Sequence, residues 1–181
     1  MKNLNIYALV MTFLFVSCSK DDDPVAVNEE EVITTLTVTL IPSDASANII
    51  LKTQDLDGDG PNAPVVTVSG DLKASLAYRG SMKFENETET PAEDITLEVV
   101  EEADEHQVFY TVASGLSMIV TSTKDDSASN PLGTEFNLST NVASTGKLTF
   151  TLRHEPKKPN TGLADAGGST DTVSYTHLTL P

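Results

Sequence analysis

Val32-Ile33-Thr34-Thr35-Leu36-Thr37-Val38-Thr39-Leu40 alternates apolar and hydroxylated side chains with a period of two and is rich in β-branched residues. Successive side chains of a strand point to opposite faces, so Leu36, Val38 and Leu40 share one face and the threonines the other. That is the pattern of a strand buried on one side. Working outward, similar runs occur at residues 48–53, 64–69, 74–84, 108–112, 116–123, 134–140 and 147–153. Turn-forming groups separate them: Pro42-Ser43-Asp44, Ser69-Gly70-Asp71, Ser114-Gly115, Asn130-Pro131 and Thr145-Gly146. Eight short strands at this spacing predict a mainly β protein, an antiparallel Ig-like sandwich or a small barrel.

One segment departs from the period. Thr90-Pro91-Ala92-Glu93 has Thr at a helix N-cap, Pro at the first helical position and Glu three residues after the cap. Ile95, Val99 and Ala103 then recur at four-residue spacing. The expectation is a single connecting amphipathic helix of about four turns near 91–105, with a strand over 95–100 as the alternative.

The N-terminus reads as an export signal. Lys2 precedes an apolar run from Leu4 to Val16, too short for a spanning helix, which needs roughly 20 residues. Phe15-Val16-Ser17-Cys18 resembles a lipobox, with Phe15 where Leu is usual. Cys18 is the only cysteine, so no intramolecular disulfide can form, and lipidation at Cys18 accounts for it. Residues 18–31 are acidic and polar, a composition that buries too little apolar surface to order itself, and are read as a tether. Ser19-Lys20-Asp21-Asp22-Asp23 resembles the acidic export signal that takes Bacteroidota lipoproteins to the outer face of the outer membrane; the periplasmic face is the alternative.

The expected organisation is therefore a signal peptide at 1–17, a lipidated tether at 18–31 and one domain at 32–172. Without residues 1–17 the chain has 164 residues, with ten basic against 27 acidic side chains, a formal charge of −17. Such a charge argues against nucleic acid as a partner. The expected partners are the membrane, through the anchor, and a protein or glycan ligand.

Residues 173–181, VSYTHLTLP, resemble the translation of a transposon mosaic-end adapter used in library preparation. On that reading the natural last strand is missing and a sheet edge is left unpaired, and Tyr175 and His177 carry no function.

The segments QDLDGDG (54–60), ETPAEDIT (89–96), ADEHQ (103–107) and LRHEP (152–156) together resemble a group of small flavobacterial-type lipoproteins. Members are often identified with a type 1 periplasmic-binding fold. That label implies repeated βα units around a parallel sheet, whereas the periodicity here is strand after strand. The resemblance implies a localisation and no particular activity.

Three patterns offer chemistry. Asp55, Asp57 and Asp59, followed by Gly60, resemble the first half of an EF-hand loop and make Ca²⁺ a candidate ligand. Val66 stands where the bidentate Glu belongs, however, so an Asp/Gly hairpin turn is the simpler reading. His106 and His154 lie beside carboxylates; if their strands are neighbours, two imidazoles and a carboxylate can hold a transition metal. Otherwise they are surface or Glu-paired histidines. Asp126-Ser127-Ala128 resembles a short bacterial O-glycosylation motif, with Ser127 as the acceptor. No nucleophile elbow or phosphate loop is present, and no catalytic residue is expected. The expected function is a non-enzymatic, surface-displayed binding or adhesion module. The alternatives are a lipoprotein that captures a metal, haem or apolar molecule for a transporter, or an envelope structural protein.

Overall fold

The computed structural model describes residues 31–58 and 60–181, the side chain of Tyr175 excepted. The signal, Cys18, most of the tether and Asp59 lie outside the described residues.

Ten strands form two antiparallel sheets that face each other as a β-sandwich: β1 (Thr35–Pro42), β2 (Ile49–Gln54), β3 (Val65–Val68), β4 (Ala77–Asn86), β5 (Glu93–Asp94), β6 (His106–Val112), β7 (Met118–Ser122), β8 (Glu135–Thr140), β9 (Ser144–His154) and β10 (Ser169–Leu180). The larger sheet runs β3-β2-β1-β4-β8-β7, with β5 paired to β4; the smaller runs β10-β9-β6. All eight stretches expected as strands are strands, and among the described residues neither sheet closes into a barrel and no parallel βα unit occurs.

Alternation explains the core. Leu36, Val38 and Leu40 of β1, Met82 and Phe84 of β4 and Phe136 and Leu138 of β8 face Leu148, Phe150 and Leu152 of β9 across one hydrophobic cluster. Phe136 lies over Gly80, its cross-strand partner, where any Cβ would overlap the ring. The rings of Tyr110, Phe136 and Phe150 meet with centroids 5.2–6.1 Å apart, in tilted and edge-on arrangements that aromatic pairs favour.

The expected helix is present but short. α1 covers Thr96–Glu101, with Ile95 at its N-cap and no side-chain cap bond from Thr90. Glu93 and Asp94 pair with Asn86 and Glu85 of β4 instead, so the sheet takes residues that the local pattern assigns to the first helical turn. Sheet pairing outweighs a capping box, which is worth about 1 kcal/mol. The buried stripe is as expected: Ile95 and Val99 are buried and Ala103 packs against the core. No described helix is long and apolar enough to cross a membrane.

Residues 173–180, read from the sequence as foreign, form most of β10, the outer strand of the smaller sheet. Residues 169–180 pair with β9 along its whole length, and Leu178 and Leu180 enter the core. The physical reason is plain in the segment itself: Ser174, Thr176, Leu178 and Leu180 are all buried on one side of a strand with period two.

Candidate metal centre

His106 opens β6 and His154 closes β9, and the antiparallel register sets the two directly opposite each other. The strands that sequence reading could only assume to be neighbours are neighbours. Both side chains share the inner-face parity of Val108 and Leu152, and both are buried. Their rings meet edge-on, with centroids 4.9 Å apart.

Two carboxylates complete the cluster. Asp171 sits where β10 changes register against β9, between Thr170 paired to Arg153 and Thr172 paired to Leu152. A bulge inserts an extra residue and re-aims its side chain; here it brings the Asp171 carboxylate 3.9 Å from His106 Nε2 and 3.8 Å from His154 Nδ1. Gly168, just before the bulge, has φ +70°, and a Cβ there would collide with the carbonyl of His154. The fourth member is Glu31, from the segment leading into β1. Its Oε1 lies 2.8 Å from His106 Nε2 and its Oε2 3.1 Å from His154 Nδ1. The Glu31 side chain is only 3 % exposed and that of Asp171 0 %.

The proton arrangement singles out His106. Its Nδ1 lies 3.1 Å from the carbonyl of Glu102. A carbonyl only accepts, so Nδ1 carries a proton, and Nε2 is the atom that His106 turns to the cluster. Nε2 is buried and makes no hydrogen bond, close as Glu31 is. Nε2 and a carboxylate oxygen at 2.8 Å repel each other unless a proton or a metal ion lies between them. Metal-ligating histidines are oriented in this way, by donating their other N–H to a backbone carbonyl. Lys158 reinforces the backbone at this point. Its buried ammonium donates to the carbonyls of Ala103 and His106 and to Asp126 Oδ2, at 2.7, 2.6 and 3.1 Å.

Electrostatics add to the case. With neutral imidazoles, Glu31 and Asp171 put two negative charges into a buried site, which is costly without a counter-charge. Burial of the His154 ring opposes its protonation, but Glu31, with Asp171 and Glu155, outweighs burial and holds His154 above the ordinary imidazole range. One ligand atom from each of Glu31, His106, His154 and Asp171 lies within 4.8 Å of all the others. Zinc ligands at about 2.0 Å in a tetrahedron stand roughly 3.3 Å apart, which lies inside the 4.8 Å within which these four atoms gather.

Further carboxylates surround the cluster. Glu98 and Glu102 of the α1 region approach Glu31 to within 4.8 Å. Burial, then the charges of Glu31, Glu102 and Glu93, raise the carboxyl of Glu98 above the usual range. On another side opens a cavity of about 590 Å³ that Asp171 lines together with Asp55, Asp57, Thr53 and Val32.

Of the residues singled out in the sequence, His106 and His154 meet as required. Asp57 acts as a turn residue: its Oδ2 accepts from the backbone N–H and side-chain amide of Asn62. Among the described residues neither Asp55 nor Asp57 joins a cluster of three metal-capable side chains. Ser127 is exposed, and its hydroxyl donates to Asp104. Sequence reading missed Glu31 and Asp171. Glu31 was placed in the tether, although its side chain is buried here; it is one of three consecutive glutamates and nothing local distinguishes it. Asp171 carried a weak signal, a lone carboxylate amid threonines at the start of an alternating run. No family model matches the chain, and no similar curated protein or solved structure was found.

Proposed function

We propose that this protein is an exported, lipid-anchored β-sandwich whose domain binds one divalent transition-metal ion through His106, His154, Glu31 and Asp171. The observation that carries the reading is His106 Nε2, buried, without a hydrogen bond and turned toward two buried carboxylates. Two imidazole nitrogens favour zinc and its neighbours over Ca²⁺ or Mg²⁺, which prefer all-oxygen sites. The donor set is closed by four protein side chains, as in structural and storage sites, whereas catalytic zinc keeps a position for water. This supports metal capture or holding over both catalysis and the adhesion role, which rests on the lipobox, the acidic run after it and the strand count.

The test is titration of the purified chain with Zn²⁺, Co²⁺, Ni²⁺ and Ca²⁺ against a chromophoric chelator. One tight site for Zn²⁺ or Co²⁺, lost in both His106→Ala and His154→Ala and unaffected by Ca²⁺ in excess, is the expected result. A folded wild-type protein that takes up no transition metal would leave the cluster as a doubly protonated His–carboxylate network and end the proposal.

A further inference from the structure

Three of the four donors belong to one sheet and the fourth does not. His106, His154 and Asp171 come from β6, β9 and β10 of the smaller sheet. Glu31 comes from the segment that enters β1, a central strand of the larger sheet. Among the described residues, the backbone hydrogen bonding of this segment begins at Thr34, whose N–H donates to the carbonyl of Glu85. Thr34 Oγ1 also accepts from the N–H of Glu87. Upstream of it, Val32 is 59 % exposed and Ile33 packs partly against the core. The strongest polar attachment of residues 31–33 to the domain is therefore the Glu31 carboxylate at the two histidines.

That attachment depends on charge. Glu31 is buried beside Asp171 and within reach of Glu98 and Glu102. Four carboxylates in one neighbourhood repel each other, so Glu31 stays in place only while something positive holds it there. An ion bound by His106, His154 and Asp171 carries one net positive charge if divalent, and Glu31 is the ligand that neutralises it.

From this, and resting on the metal-centre reading above, we infer that metal occupancy docks the N-terminal segment: with the ion bound, Glu31 is clamped to the smaller sheet, and without it residues 31–33 leave the sandwich. Glu31 is the coupling ligand, and the three donors on the smaller sheet are sufficient to retain the metal at lower affinity.

The experiment is hydrogen–deuterium exchange of the whole chain, read at the peptide spanning Glu31 to Thr34, with and without saturating Zn²⁺ and with zinc content measured in the same samples. In the wild type, zinc should slow exchange of this peptide about tenfold or more. Glu31→Ala should bind zinc on the order of 100-fold more weakly and, when saturated, show no slowing; Glu31→Gln, which preserves shape without charge, should behave likewise. Zinc bound with no change in exchange at residues 31–34 in the wild type would overturn the docking and leave the metal site standing. Equal slowing in saturated Glu31→Ala would also overturn it. No zinc bound to the folded wild type would remove the metal-centre reading and the docking with it.

Discussion

Lys158 and Asp126 show how a charge pair can be retained in the interior. The Lys158 side chain is 6 % exposed and that of Asp126 1 %, and burial alone would penalise both. Lys158 uses its three protons on two carbonyls and one carboxylate. Asp126 accepts from the backbone N–H groups of Ala128 and Asn130 and from the Asn130 amide. Burial pushes the Asp126 carboxyl up, but the Asn130 and Lys158 donors outweigh it and hold it below the ordinary range. A carboxyl with a lowered folded-state pKa contributes stability fully above its unfolded pKa of about 3.9, and the contribution fades as pH falls through the folded value. Asp126→Asn should therefore cost about 2–3 kcal/mol at pH 7, and its deficit relative to wild type should shrink in urea melts carried below pH 4. A deficit independent of pH would contradict this account of the carboxylate.

At the scale of the element, the β10 bulge is the feature on which the cluster turns. Gly168 lies within a backbone region that L side chains avoid and against the carbonyl of His154. Gly168→Ala should destabilise the protein by about 1–3 kcal/mol and weaken zinc binding at least tenfold, because Asp171 is aimed by the turn that Gly168 permits. Unchanged zinc affinity in a destabilised Gly168→Ala would separate the turn from the site. The elements were legible in the sequence to different degrees. Strands with one buried face declare themselves by alternation, as β1 does through Leu36, Val38 and Leu40. Helix α1 was legible in its apolar stripe and not in its length, since pairing of Glu93 and Asp94 with β4 is a tertiary choice. The bulge left no mark, since its one extra residue is defined only against the partner strand.

For the whole molecule, the candidate site joins distant parts of the chain: residue 31, the start of β6 and the end of β9 at one end of their ladder, and a bulge at residue 171. His106 and His154 were visible as metal-capable types, but their contact depends on a register set across a long stretch of intervening chain. Glu31 carried no signal because composition marks a segment and does not mark the residue of it that turns inward. An ion that binds only the folded sandwich raises its stability with the logarithm of its free concentration. At a free concentration a hundredfold above Kd the gain is about 2.7 kcal/mol, or roughly 5–10 °C in Tm for a domain of this size. Calorimetric scans of zinc-loaded and chelator-stripped protein should differ by that amount, and His106→Ala should show no difference.

The ladder between β6 and β9 has a mechanical consequence once Glu31 is tied to it. A pull from the N-terminal side arrives at residue 31 before it arrives at β1. With an ion in the cluster the load divides at that point, part running along β1 between its neighbours β2 and β4, part passing through the coordination bonds into β6, β9 and β10. Without the ion β1 bears the force alone, so the same chain would be a stiffer spring when loaded with metal.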